Sequence, residues 1–439
     1  MSTNQLQKIY KGTIIDSSKN GTFRLLKGIL GISTEGKILF REKEEELGNI
    51  TAKYNVQKEQ IDDLERNFLI PGFVDTHIHG PQYKFMGTGL DLPLLKWLEK
   101  YTFPTESKFS NEDLAKNVYG KVIDQTLKNG TTTACYFATI HLTASKIFSD
   151  LVIQKGQRAL IGKVSMDRNS PDFYVEKTQD SLDQNEEFIK YVKEKKNDLV
   201  EPIVTPRFVP TCSPQMMKGL GELAAKYNIA IQSHISENVN EVEWVKSLHP
   251  DEDGYAAVYD KYGLLNNRTI MAHGIYLTDK EIELFKQRNA AVAHCPNSNF
   301  SLSSGVLHLK KLLRNGIKVG FGTDVSGGYS PSMMDCIRQA IIASKATMFN
   351  TKNPDDELSY QDAFYFATLG GASALGLDSK TGNFDVGKDF DACIVSPFVS
   401  SANFHVFDDD DDIEIFQKFL FSGDDRNILK VFVKGRQVI

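Results

Sequence analysis

The sequence predicts an α/β fold: a (β/α)8 TIM barrel with a small β-sandwich formed by the N- and C-terminal segments. Three observations carry that expectation. From residue 69, apolar strand-like runs alternate with helical patterns, the texture of βα units around a parallel sheet. Eight such runs fit into about 310 residues, enough for a closed barrel. Strand character also stands at both chain ends, outside the alternation. The expected division is therefore a barrel over 69–383 and an accessory module from 1–68 and 384–439.

Residues 1–68 read as short strands and turns. Ile9–Ile15 and Ile29–Phe40 are rich in β-branched residues broken by Gly and Ser, and a charged stretch follows from Glu42 to Glu46. The eight barrel runs are Gly72–His79, Thr131–Ala138, Ala159–Met166, Pro202–Phe208, Ile229–Ser236, Thr269–His273, Ala291–His294 and Val319–Asp324. The clearest helix between them opens at Ser110 with Asp113 three residues on, a capping-box pattern. It continues through Leu114, Val118, Val122 and Leu127, and stops at Asn129-Gly130. A second helix, Met216–Tyr227, precedes the fifth run. The barrel ends at Ser359-Tyr360-Gln361-Asp362, another capping-box pattern, which opens a helix through Leu375. Strand character returns at Ala392–Val395 and Leu429–Ile439. The run Asp408–Asp412 reads as a solvated acidic loop, since no calcium-loop pattern supports the alternative.

Composition narrows the function class. The chain has 439 residues, 41% hydrophobic and 25% charged, with a net charge of −6. That balance does not suit a nucleic-acid or anionic-membrane surface. No apolar run approaches the roughly eighteen residues of a membrane span. Met1–Tyr10 is polar and lacks a signal-peptide pattern. Five scattered cysteines (Cys135, Cys212, Cys295, Cys336, Cys393) without a C-x-x-C pair suit free thiols in a reducing cytosol. Cys212 and Cys295 follow apparent strands and are expected near a site. There is no internal repeat, no Walker A pattern and no complete G-x-G-x-x-G; Gly320-Phe321-Gly322 is a fragment of the last.

Barrel active sites sit at the carboxyl ends of strands. The first run ends in His77 and His79, which a strand's period of two turns toward the same face. The fifth ends near His234, the sixth in His273, the seventh in His294 and the eighth in Asp324. Five of nine histidines and one aspartate at strand ends point to a metal. Imidazoles plus a carboxylate suit Zn²⁺ or Fe²⁺ with an open position for water. Glu237, three residues past His234, is placed to shuttle protons. Gln82, Arg207 and Phe208 offer donors beside an aromatic face, the equipment for reading a planar heterocycle with carbonyl and ring-nitrogen acceptors.

These residues carry a resemblance. Pro71-Gly72-Phe73-Val74-Asp75-Thr76-His77-Ile78-His79 resembles the strand-one signature of the amidohydrolase superfamily. More narrowly, Gly80-Pro81-Gln82, Thr205-Pro206-Arg207-Phe208, Ser233-His234-Ile235-Ser236-Glu237, Ala272-His273-Gly274, His294-Cys295-Pro296-Asn297-Ser298-Asn299 and Gly322-Thr323-Asp324 resemble its guanine-deaminase branch, over about residues 69–391. The resemblance implies one zinc held by His77, His79, His234 and Asp324. Glu237, His273 and Asp324 would be catalytic, and Gln82, Arg207 and Phe208 would hold the purine base. It also implies a cytosolic homodimer that hydrolyses guanine to xanthine and ammonia. His294 is expected near the site but off the metal. No lysine ends the fourth run, and Lys163 lies inside the third, which favours one metal over a pair. Deamination or dechlorination of another planar heterocycle (a thioadenosine, cytosine or triazine) is the alternative chemistry, and a barrel retained as a scaffold the alternative class.

Overall fold

The computed structural model describes residues 5–439, so the expectation for the amino terminus falls partly outside them. The described residues form sixteen strands in two sheets. β1 (Leu6–Ser17), β2 (Phe23–Ser33), β3 (Ile38–Lys43) and β4 (Ile61–Pro71) come first. The barrel strands follow: β5 (Phe73–His79), β6 (Thr131–Phe137), β7 (Arg158–Gly162) with its short continuation β8 (Val164–Ser165), β9 (Val200–Pro206), β10 (Ala230–Ile235), β11 (Thr269–His273), β12 (Ala291–His294) and β13 (Lys318–Phe321). β14 (Ala392–Val395), β15 (Ile428–Val433) and β16 (Arg436–Gln437) close the chain. All eight expected barrel runs are strands, with bounds shifted by a few residues.

The terminal strands join in one mixed sheet, ordered β16-β15-β14-β4-β1-β2-β3. Only β1 and β4 pair in parallel; the other neighbours are antiparallel. Both faces of the long β1 are covered. Ile9 packs with Ile29 and Phe40, while its neighbour Tyr10 turns to Phe390 and Phe432 on the opposite face. Two helices stand where sequence patterning suggested only strands or loop, Leu47–Tyr54 and Asp412–Ser422. The acidic run Asp408–Asp411 is the loop that leads into the second of these. Asp411 caps it by accepting from the Ile413 and Glu414 N–H groups at 2.8 Å, and Asp410 pairs with Lys418.

β5 to β13 run parallel around the barrel. It closes between β5 and the residues just past β13: Asp324 N–H donates to His77 O at 2.8 Å and His79 N–H to Val325 O at 3.0 Å. Gly322 makes this seam possible, because a Cβ there would meet His77 Cβ at 2.8 Å. Arg158 ties barrel to terminal sheet, reaching Asp391 and Asp389 at 2.9 Å each, with all three side chains buried.

Helix boundaries follow capping chemistry more than periodicity. The helix Glu112–Lys128 is capped by Asn111, whose side chain accepts from Leu114 N–H at 3.0 Å, and not by Ser110, which ends the preceding 3₁₀ turn. Pro214–Tyr227 starts two residues earlier than expected, with Ser213 as cap. Ser359 does cap its helix, accepting from Asp362 N–H at 3.0 Å. The run to Leu375 is nevertheless two helices, Tyr360–Phe366 and Leu369–Ala374, because Thr368 leaves helical geometry between them. No helix among the described residues is long and apolar enough to cross a membrane.

Candidate active site

His77 and His79 stand two residues apart on β5, so the pleat sends both imidazoles to one side, with ring centroids 5.0 Å apart. The opposite side of the strand is held by Thr76, whose hydroxyl donates to Phe321 O at 2.9 Å. His234 enters from β10, and Asp324 from the turn after β13, in left-handed backbone geometry (φ 48°). Ligand atoms of His77, His79, His234 and Asp324 lie within 4.8 Å of one another, and all four residues are buried or nearly so. Asp324 Oδ1 is 3.1 Å from His77 Nε2 and 3.5 Å from His79 Nε2; the Nε2 atoms of His79 and His234 are 3.1 Å apart.

The donor chemistry fits a divalent cation. His234 Nδ1 lies 2.6 Å from Arg207 O, and a carbonyl only accepts, so Nδ1 carries the proton and Nε2 offers its lone pair to the cluster. His77 Nε2 is buried and makes no hydrogen bond. Burial drives the pKa of His77 down, and those of His79 and His234 well down, the direction that favours the neutral imidazole ligation requires. Burial opposes the Asp324 charge, but the surrounding imidazoles of His77, His273 and His79 outweigh it and hold the carboxyl below its ordinary range. Behind the cluster, Asp75 accepts from the Thr323 hydroxyl at 2.5 Å and from the His77 N–H at 3.2 Å, clasping β5 to the turn that carries Asp324.

Beside these four, His273 Nε2 lies 3.4 Å from Glu237 Oε2 and 3.7 Å from Asp324 Oδ2. Its Nδ1 is fixed by Asn299 Oδ1 at 3.0 Å. Burial works against charge on His273, but Glu237 and Asp324 carry its pKa above the usual value. Burial pushes the Glu237 carboxyl up to about 7, against the pull of His273. Ser304 donates to Glu237 Oε1 at 3.1 Å, and the buried Glu241 accepts from the Glu237 N–H at 2.9 Å.

Gln82, Arg207 and Phe208 line the same cleft as His79, His234, Glu237, His273 and Asp324. It holds about 450 Å³ of empty space, part of it open to solvent. Leu94, Trp97, Leu98 and Leu302 supply an apolar wall. His294 stands apart from the cluster: it is buried, makes no side-chain hydrogen bond, and burial takes its pKa down to about 3. Cys295 Sγ comes within 4.8 Å of His273 and Asp324 ligand atoms; burial raises its thiol pKa well above normal. Cys212 donates to Ser165 O and takes no part. Lys163 sits between β7 and β8, paired with Glu176 at 2.5 Å.

Sequence reasoning passed over the chain between Gln82 and Ser110. It folds across the cleft as short helical turns, including a π-helical turn at Leu98–Thr102. Glu106, from this segment, is fully buried and accepts from Arg207 at 2.6 Å, Gln82 at 2.9 Å and Tyr174 at 2.8 Å. Asn299, Ser304, Glu241 and Asp75 were also unassigned.

Residues 68–438 match the amidohydrolase family. The chain is 48% identical to a guanine deaminase of Dictyostelium discoideum over 100% of its own length and 99% of that protein. It is 47% identical to a guanine deaminase of Homo sapiens, covering 99% of this chain and 97% of that one. Among solved structures, a guanine deaminase from C. acetobutylicum with guanine bound in its active site superposes with a TM-score of 0.92 at 41% identity, covering 98% of this chain and 100% of that one.

Proposed function

Because this chain belongs to the amidohydrolase family, we infer from its similarity to guanine deaminases along its whole length that it hydrolyses guanine to xanthine and ammonia. The observation that carries this reading is the convergence, in one cleft, of a four-ligand cluster, a buried carboxylate pushed up to about 7, and the Gln82–Arg207–Phe208 set.

His77, His79, His234 and Asp324 would hold the metal, taken as one zinc per chain. Bound there, it would act as a Lewis acid that makes water nucleophilic at neutral pH. The chain's own groups do the rest. Arg207 and Gln82 meet the acceptor edge of the base while the Phe208 ring lies beside its face. This turns C2 and its amine toward Glu237, His273 and Asp324. Glu237 takes the proton released as water adds to C2 and places it on ring N3. It then takes the proton of the new C2 hydroxyl and delivers it to the amine, which leaves as ammonia as the C2 carbonyl forms. His273, fixed by Asn299 and raised in pKa by Glu237 and Asp324, steadies the negative charge that the addition creates. The apolar wall of Leu94, Trp97 and Leu98 keeps bulk water from this exchange. Five buried free cysteines support a reducing, cytoplasmic setting, and the resemblance carries with it a homodimer.

The test is ammonia release by the purified, metal-analysed protein with guanine, adenine, cytosine and methylthioadenosine compared side by side. Turnover confined to guanine is expected. Preference for another base would overturn the assignment of the pocket, and no turnover by metal-loaded protein would overturn the activity.

A further inference from the structure

Glu106 is more deeply placed than any residue the proposed chemistry uses. It is fully buried, behind the cleft wall, on the short helix Phe103–Glu106. Both of its oxygens are filled. Oε2 accepts from Arg207 Nη1 at 2.6 Å and the Tyr174 hydroxyl at 2.8 Å; Oε1 accepts from Gln82 Nε2 at 2.9 Å and Arg207 Nη2 at 3.3 Å. Arg207 and Gln82 are themselves buried, 3% and 2% exposed, so neither can exchange Glu106 for water.

We propose that Glu106 is a positioning residue for substrate selection, fixing Arg207 and Gln82 as a pair of aimed donors and setting the class of ligand they accept; this rests on the guanine reading above. Two consequences of the geometry carry it. The Gln82 amide has one orientation, because its Nε2 is held by Glu106 while its Oε1 accepts from the Ser326 N–H at 3.2 Å. One N–H of that side chain is therefore left free in a fixed direction. The guanidinium of Arg207 is already engaged through both terminal nitrogens by a carboxylate, so its charge is neutralised. A pair in that state has little to offer an anionic ligand. It suits a neutral heterocycle bearing a carbonyl or ring-nitrogen acceptor. Through the Arg207 carbonyl, which takes the His234 Nδ1 proton at 2.6 Å, the same residue connects this hub to the metal cluster.

The experiment is steady-state kinetics on full-length, metal-loaded protein with Glu106→Gln, which keeps the size of the side chain, and with Glu106→Ala. Guanine is compared with 2-aminopurine, as substrate or competitive inhibitor; it carries the same amine at C2 but no carbonyl at C6. Glu106→Gln is expected to lower kcat/KM for guanine by roughly 10–100-fold, chiefly through KM. Its effect on 2-aminopurine should stay within about threefold, because that base lacks the C6 carbonyl and offers the aimed donors only weaker ring-nitrogen acceptors. In a double variant with Gln82→Ala the two losses on guanine should not add. If Glu106→Ala fails to fold, the Gln variant alone decides. Equal losses on both bases, or none on guanine, would overturn the role of Glu106. A wild type that favours 2-aminopurine over guanine would instead overturn the guanine reading, and the two failures are told apart by the wild-type ratio.

Discussion

Asp324 is joined to His77 twice: its backbone N–H donates to the His77 carbonyl at 2.8 Å, and its Oδ1 lies 3.1 Å from His77 Nε2. The seam that closes the barrel and the cluster that would hold the metal are thus the same pair of residues. Removing the metal should therefore cost stability as well as activity. A chelator-treated sample is expected to lose turnover and to melt at lower temperature. The loss would be about 2.7 kcal/mol if free metal had stood at a hundred times its dissociation constant. One equivalent of zinc should restore both. An unchanged melting temperature in protein shown to be metal-free would dissociate the cluster from the seam.

Glu237 is 5% exposed; Ser304 donates to its Oε1, while His273 Nε2, 3.4 Å from Oε2, makes no hydrogen bond and so leaves that oxygen for the substrate. Glu237→Gln keeps the shape and removes proton transfer. Turnover should fall roughly 10²–10⁴-fold while metal content stays at wild-type level. Near-normal turnover by the Gln variant would remove Glu237 from the mechanism.

The pH profile should carry the same residue's signature. Burial raises the Glu237 carboxyl to about 7, and only its ionised form can accept a proton. Activity should rise with pH along an acid limb, and a bound cation, by favouring the carboxylate, sets that limb at or below about 7. The limb in kcat/KM should be missing from the residual activity of Glu237→Gln. A limb of unchanged position in that variant would assign it to another group.

What could be read from the sequence, and what could not, divides by the range of the interactions. The eight barrel strands and the convergence of His77, His79, His234, His273 and Asp324 were legible because strand period and strand-end position are local. Gln82, Arg207 and Phe208 were legible as donors and an aromatic face near strand ends, but the cleft they share with the histidines depends on how β5 and β9 face one another across the barrel. Glu106 was invisible because its partners Arg207 and Tyr174 lie 101 and 68 residues away. Ser110 was mistaken for a cap because Asn111, one residue on, offers the better-placed acceptor to Leu114 N–H. The acidic run is the solvated loop it reads as over Asp408–Asp411, and what its composition did not show is that Asp411 also caps the helix that follows.

The joint between barrel and terminal sheet gives the last prediction. Arg158, 2% exposed, bonds Asp391 and Asp389 at 2.9 Å each, and Asp391 also accepts from the Lys434 N–H at 2.7 Å on the loop between β15 and β16. A guanidinium on the third barrel strand thus bridges two carboxylates at the terminal sheet, the second of which, Asp389, also pairs with Lys37 at 2.6 Å. Arg158→Leu would leave Asp391 buried without its cation, while Asp389 keeps Lys37; removing one partner of a buried pair costs about 3–5 kcal/mol. No residue of the cleft touches this joint, so kcat per folded molecule should hold near wild type while the denaturation midpoint drops. A destabilisation under about 1 kcal/mol would mean that the pair is relieved by water and that the two modules are held together chiefly by apolar packing.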